Sequence, residues 1–228
     1  MNTFEEGRVL LIDKPLRWTS FDMIRKIRNL IRIKKVGHAG TLDPLATGLL
    51  IICTGKFTKR INEYMAKEKE YTGTFTLGAT TPTYDLESDP ENFKPTTGIS
   101  EDDIQKARLP FTGEIMQVPP AHSAIQIGGK RMYELARQGK EVKIEPRKVT
   151  ISEFEITNIE LPVVHFRVVC STGTYIRSLA KDFGDELGCG AYLSSLCRTR
   201  IGEFKLKDAA PIDEFEKEVK NIKSETEK

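Results

Sequence analysis

The longest unbroken apolar run in this chain is five residues, Leu49-Leu50-Ile51-Ile52-Cys53. It follows directly on a stretch punctuated by Gly37, Gly40, Pro44 and Gly48. A run that short suits one buried strand and falls far below the roughly 20 residues of a membrane-spanning helix. Residues 8–12 form a similar run that stops at Asp13-Lys14-Pro15, a turn signal. Residues 70–77 alternate and are rich in aromatic and β-branched types, and 149–159 and 163–170 share that composition. Residues 191–196 and 202–206 read as shorter elements.

Helical spacing is confined to a few places. Phe21, Ile24, Ile27 and Ile31 recur on one face, behind Thr19 or Ser20 as cap and with Asp22 in the first turn. Ser100 caps a helix of about ten residues whose acidic start suits the helix dipole. Residues 133–139 and 178–187 are helical and end at Gly139 and Gly188. Residues 80–95 are a polar loop, and from Asp213 onward the chain is a polar helix or a frayed tail. Strands outnumber helices and do not alternate with them regularly. The expected class is therefore α+β, a mixed and mostly antiparallel sheet with flanking helices. Neither a repeat nor a linker divides it, so one domain is expected.

Cys53, Cys170, Cys189 and Cys197 have no C-x-x-C spacing and do not cluster with His38, His122 or His165, which predicts core packing and no metal site. The N-terminus has neither the basic nor the apolar region of a secretory signal, so a cytoplasmic protein is expected. Net charge is only +2, but residues 1–60 hold 12 Lys/Arg against 5 Asp/Glu, and the rest hold 23 against 28. Arg25, Lys26, Arg28, Arg32, Lys34 and Lys35 crowd the polar side of the first helix. They form either a solvated face or a contact for phosphates.

The segment Gly37-His38-Ala39-Gly40-Thr41-Leu42-Asp43-Pro44-Leu45-Ala46-Thr47-Gly48 is the densest in special residues. It is not a nucleotide phosphate loop. Gly55-Lys56 lacks the glycine at position 50 and the hydroxyl at 57 that a Walker loop needs, and no G-x-G-x-x-G follows a strand. Asp43-Pro44 by itself reads first as the cap of a short helical turn. The proline also keeps Asp43 out of the helical region and so could fix the direction of a carboxylate.

The sixteen residues from Lys35 to Leu50 resemble the signature of the TruB-type pseudouridine synthases. Leu11-Ile12-Asp13-Lys14-Pro15, Lys69-Glu70-Tyr71, Pro119-Pro120-Ala121-His122-Ser123-Ala124, Gly129-Lys130-Arg131-Met132-Tyr133 and Gly173-Thr174-Tyr175-Ile176-Arg177 resemble further motifs of that family, in the same order. The resemblance covers roughly 7–206. It implies a pseudouridine synthase fold over 1–210 with a thumb-like RNA-contacting insertion at about 117–149. A polar tail at 211–228 then stands where many members carry an accessory RNA-binding domain. Gln126, His122 and Cys197 depart from residues common in the family.

The resemblance further implies an isomerase that converts uridine-55 of the tRNA T loop to pseudouridine without cofactor or metal. Asp43 is then the nucleophile, Arg177 its ion-pair partner, and Tyr71 the aromatic face that meets a flipped-out base near its C5 proton. His38 helps hold flipped-out nucleotides, Asp85 supports the site, Lys14 braces the active-site loop, and Tyr175 and Leu196 lie on the substrate side. Tyr175 and Arg177 share one face if the chain there is extended. The expected partner is the tRNA T stem-loop, with no membrane and no obligatory protein partner. A ribosomal RNA target and an RNA-folding or binding module are the alternatives.

Overall fold

The structure, a computed structural model, describes residues 3–121, 123, 126–127, 130–131 and 144–226. The expected helix at 133–139, His122 and most of the expected insertion lie outside the described residues. In chain order the elements are α1 (Thr3–Glu6), β1 (Val9–Lys14), α2 (Ser20–Ile31), β2 (Val36–His38), β3 (Ala46–Thr54), a 3-10 segment Gly55–Arg60, α3 (Ile61–Met65) and β4 (Lys69–Leu77). There follow α4 (Glu101–Ala107), β5 (Gly113–Gln117), the hairpin strands β6 (Gln126–Ile127) and β7 (Lys130–Arg131), β8 (Arg147–Glu160), β9 (Val163–Cys170) and α5 (Ile176–Glu186). The last are β10 (Ala191–Ile201), β11 (Phe204–Lys205), β12 (Ala210–Pro211) and α6 (Ile212–Thr226). The chain forms two compact units, Met1–Tyr71 with Leu196–Lys228, and Thr72–Ser195.

In the first unit the strand order is β12-β1-β3-β10, with β2 also on β3 and β11 on β10. β1 runs antiparallel to β3, and β10 runs parallel to it. Both faces of β3 are covered, which is why its run is continuous and does not alternate. Leu50 and Ile52 pack with Met23, Ile24, Ile27 and Ile31 of α2, whereas Leu49, Ile51 and Cys53 pack with Ala39, Tyr64 and Ile201. Helix α2 starts where the sequence places it. The Thr19 hydroxyl accepts from the Asp22 amide at 3.0 Å, and the Asp22 carboxylate accepts from the Thr19 amide at 3.1 Å. This reciprocal cap satisfies two amides of the first turn.

The stretch after Asp213 is no frayed tail. Ile212, Phe215 and Val219 recur at helical spacing and are buried in the α2 cluster, with the Phe215 ring edge-on to Phe4 at 6.3 Å. Lys26 of α2 pairs with Glu216 at 2.5 Å.

In the second unit the order is β4-β9-β8-β5, with β8 antiparallel to β9 and β5. Its core is aromatic: Phe75 stacks on Phe166 at 4.2 Å, and Phe154 and Phe183 meet Phe75 at 6.4 and 5.6 Å. Strand β5 goes unannounced in the sequence, because an edge strand with Glu114 and Met116 exposed lacks the β-branched signal. Strand β10 is also longer than expected. Arg198 and Arg200 interrupt its apolar pattern, yet the ladder continues to Ile201.

Candidate active site

The first unit holds Asp43 in a backbone turn. Strand β2 ends at His38, the Ala39 amide still donates to Ile51 at 2.9 Å, and the chain then leaves the sheet through Gly40 at φ +96°. The Ala46 amide donates to the Asp43 carbonyl at 3.0 Å, closing a turn with Pro44 in its second place. That place suits proline's fixed φ. No helix follows, so Asp43 is not a helix cap; β3 begins at once. Asp43 is half-buried.

Three side chains brace this turn. The Ser20 hydroxyl donates to the Leu42 carbonyl at 3.1 Å and accepts from the Leu42 amide at 2.9 Å. Lys14 is fully buried, and its Nζ donates to the carbonyls of Trp18 at 2.6 Å, Pro15 at 2.9 Å and Pro44 at 3.5 Å. Lys14 thus reaches the carbonyl of Pro44, next to Asp43. Burial pushes its pKa down to about 8; the Asp43 carboxylate is the strongest opposing influence, and the Arg198 charge lowers it further. Arg198 is buried too, and donates to Leu49 at 2.8 Å, Gly40 at 3.2 Å and Thr41 at 3.4 Å. Gly48, at φ +98°, lies flush on the Arg198 backbone, where a Cβ would come within 2.4 Å of its carbonyl oxygen. Glycine is therefore required there on both grounds.

His38 lies at the start of the same loop. Burial lowers its pKa, opposed by the Gly40 backbone and aided by Arg198, so the ring is neutral near pH 7. Leu196 is opposite Ala46 in the β3–β10 ladder, and the Thr47 hydroxyl donates to its carbonyl at 3.4 Å. Tyr71 is buried on β4. Lys14, His38, Asp43 and Leu196 thus converge on one loop and its flanking strands.

The second unit brings Asp85 and Arg177 together. Both are buried, and Arg177 Nε lies 3.6 Å from Asp85 Oδ2. The Glu87 amide donates to Asp85 Oδ1 at 3.0 Å. The hydroxyls of Thr81 and Thr83 donate to the Asp85 carbonyl at 2.7 and 3.2 Å, and Arg177 Nη1 reaches the Thr83 carbonyl at 3.3 Å. Tyr84, between them, is held at φ +64°, a left-handed conformation costly for a tyrosine.

Tyr175 corrects one expectation. It is extended, at φ −102° and ψ 110°, but it is the N-cap of α5, and Arg177 is already in the helix. The chain is therefore not extended from Tyr175 through Arg177, and the condition for a shared face is not met. The Gln117 side chain fixes Tyr175 instead: its Oε1 accepts from the Tyr175 amide at 2.8 Å, and its Nε2 donates to the Tyr175 carbonyl at 3.1 Å.

Sequence reasoning passes over Ser20, Gln117 and Arg198. Each acts on backbone far away in sequence, which no local pattern reports. The one signal for Arg198 is its place inside an otherwise strand-like run.

Two family models match. TruB family pseudouridylate synthase (N-terminal domain) covers residues 28–176, and tRNA pseudouridylate synthase B C-terminal domain covers 177–228. The chain belongs to the TruB family. Among curated proteins similar to it, tRNA pseudouridine synthase B of Flavobacterium johnsoniae is 56% identical over 92% of this chain and 95% of its own length. The protein of the same name from Phocaeicola vulgatus is 50% identical over 93% of each. Among solved structures, a chain of a Cbf5-Nop10-Gar1 complex matches 92% of this chain at a TM-score of 0.72 and 31% identity. The match takes up 53% of that longer chain. This TruB chain therefore has the α+β pseudouridine synthase fold and belongs to a class of isomerases.

Proposed function

We propose that the protein converts uridine-55 in the T loop of tRNA to pseudouridine, with Asp43 as nucleophile. The observation that carries this reading is near-full-length identity of 48–56% to bacterial proteins named tRNA pseudouridine synthase B. The Asp43 turn supports it, since buried side chains hold a half-exposed carboxylate in a fixed loop.

The reaction is an isomerisation. The bond from N1 of uracil to C1′ of ribose breaks, the base turns, and C5 bonds to C1′. C5 loses a proton and N1 ends with one, so no atom is gained and no electron donor is needed. Asp43 forms a covalent adduct and leaves again, on the ribose or on the ring. Arg177, set by Asp85, is the cation of the catalytic set. Its fixed fork suits it to carboxylate contacts. Tyr71 offers a flat face to a base that leaves its stack. His38, Tyr175 and Leu196 line the substrate side, and Lys14 holds the nucleophile's turn. The catalytic domain runs over 1–210 with its RNA-contacting insertion at about 117–149. No cofactor and no obligatory protein partner is required, and the chain works in the cytoplasm.

The test is incubation with a tRNA transcript followed by pseudouridine mapping. The expected outcome is one new pseudouridine at position 55. Asp43→Asn should lower the rate by at least about 10⁴-fold, the scale seen when an acting nucleophile is removed. Wild-type activity in that variant would remove Asp43 from the mechanism. Tight tRNA binding by the wild type without product would favour an RNA-binding module, and modification only in ribosomal RNA would change the substrate.

A further inference from the structure

Arg198 is the least expected side chain in the first unit. It is 1% exposed, on a strand, opposite Gly48 in the β3–β10 ladder. Its Nε, Nη2 and Nη1 donate to the carbonyls of Leu49, Gly40 and Thr41. These carbonyls lie on both sides of Asp43 in the chain. A buried guanidinium is expensive to desolvate, and an apolar side chain of similar volume would fill the place at lower cost. Such a side chain could not hold three backbone oxygens at set directions. A lysine, with its donors on a single atom and no planar fork, would hold them in a different geometry.

We infer that Arg198 is a positioning residue for the reaction: it clamps both arms of the loop that carries Asp43 and so sets the direction of the carboxylate without touching substrate. This rests on the assignment of Asp43 as nucleophile. Other anchors hold parts of the same loop: the Ala46–Asp43 hydrogen bond closes the turn, the Pro44 carbonyl accepts from the Arg17 amide at 2.8 Å and from Lys14 Nζ at 3.5 Å, and Ser20 holds Leu42. Arg198 alone among these side chains joins the segment before the turn to the strand after it. Loss of the clamp leaves the loop attached but free to tilt by a fraction of its length. A misplacement of about 1 Å costs on the order of 10²-fold in rate.

The experiment compares Arg198→Met and Arg198→Lys with wild type and with Asp43→Asn, measuring single-turnover pseudouridine formation, tRNA affinity and thermal unfolding. Arg198→Met should lose about 10²-fold in the single-turnover rate, keep tRNA affinity within about threefold, and remain folded; Arg198→Lys should lie between. A wild-type rate in both variants would overturn the clamp, as would a loss that appears in tRNA affinity and not in the rate. If Arg198→Met does not fold, Arg198→Lys decides alone by the same split. Failure of both to fold makes Arg198 a folding residue and overturns the proposal. Full activity in Asp43→Asn would sink the underlying assignment instead, whatever the Arg198 variants do.

Discussion

The two units bury their cations in opposite ways. In the first, Lys14 and Arg198 donate to backbone carbonyls, three from each side chain. In the second, Arg177 faces a carboxylate, Asp85, and reaches the Thr83 carbonyl. A cation on carbonyls is a fastener for backbone; a cation beside a carboxylate is a charge held in a chosen state and place. The first arrangement fixes the backbone of the loop that carries Asp43, and the second fixes an arginine side chain itself.

The largest expected effect separates these two uses. Asp85→Ala should destabilise the protein by about 3–5 kcal/mol, because it takes one carboxylate partner away from a buried guanidinium. Lys14→Met should cost less, about 1–3 kcal/mol. It removes a charge that burial already disfavours and leaves only carbonyls under-satisfied, which are the more tolerant groups. Urea unfolding of both variants gives the ranking. A larger loss in Lys14→Met would mean that the two units use buried charge alike.

Titration sharpens the contrast further. Folded Lys14 releases its proton near pH 8, against 10.5 for an ordinary lysine. Between those values the unfolded chain holds the extra proton, so stability from this group rises with pH. Below 8 the folded chain bears the cost of a buried ammonium. Above 10.5 the group is neutral in both states and the gain is complete. The stability of wild type relative to Lys14→Met should therefore improve from pH 8 to 10.5. Arg198→Met removes one cause of the lowering, so the window should open at a higher pH. A flat difference across that range would show that Lys14 is not desolvated in the folded chain.

Much of the fold is readable because its signals are local. The Thr19 cap, the α2 face and the apolar run of β3 each lie within a few residues. The demand on Gly48 is not local, since it comes from the Arg198 backbone packed against it. The site divides along the same line. Asp43, Tyr71, Arg177 and Lys14 stand out through motif resemblance. Arg198 and Gln117 do not, because what they hold is far away in sequence: Thr41 and Leu49 for one, Tyr175 for the other. The helix at 212–226 can pass for a tail because its buried residues Ile212, Phe215 and Val219 sit among many charges. A narrow apolar stripe on a highly charged helix is enough to dock it.

The smallest effect on stability concerns the basic residues of the first unit, and it divides them by use. Arg25 pairs with Asp22 at 2.8 Å, Lys26 with Glu216 at 2.5 Å, and Arg28 donates to the Val36 carbonyl at 2.9 Å. Those three are occupied within the fold. Arg32, Lys34 and Lys35 are exposed, and with Lys56 they line one surface depression. If phosphates are bound here, these residues carry the salt dependence, not the helix face as a whole. Arg25→Ala should change stability by no more than about 0.5 kcal/mol, as for other exposed pairs, and leave the salt slope of tRNA binding alone. Replacing Arg32, Lys34 and Lys35 together by Gln should also leave stability nearly unchanged. It should lower the slope of log affinity against log salt by about 2, given roughly 0.7–0.9 for each phosphate that the protein no longer neutralises. An unchanged slope in the triple variant, together with a reduced one in Arg25→Ala, would return the phosphate-binding role to the helix face.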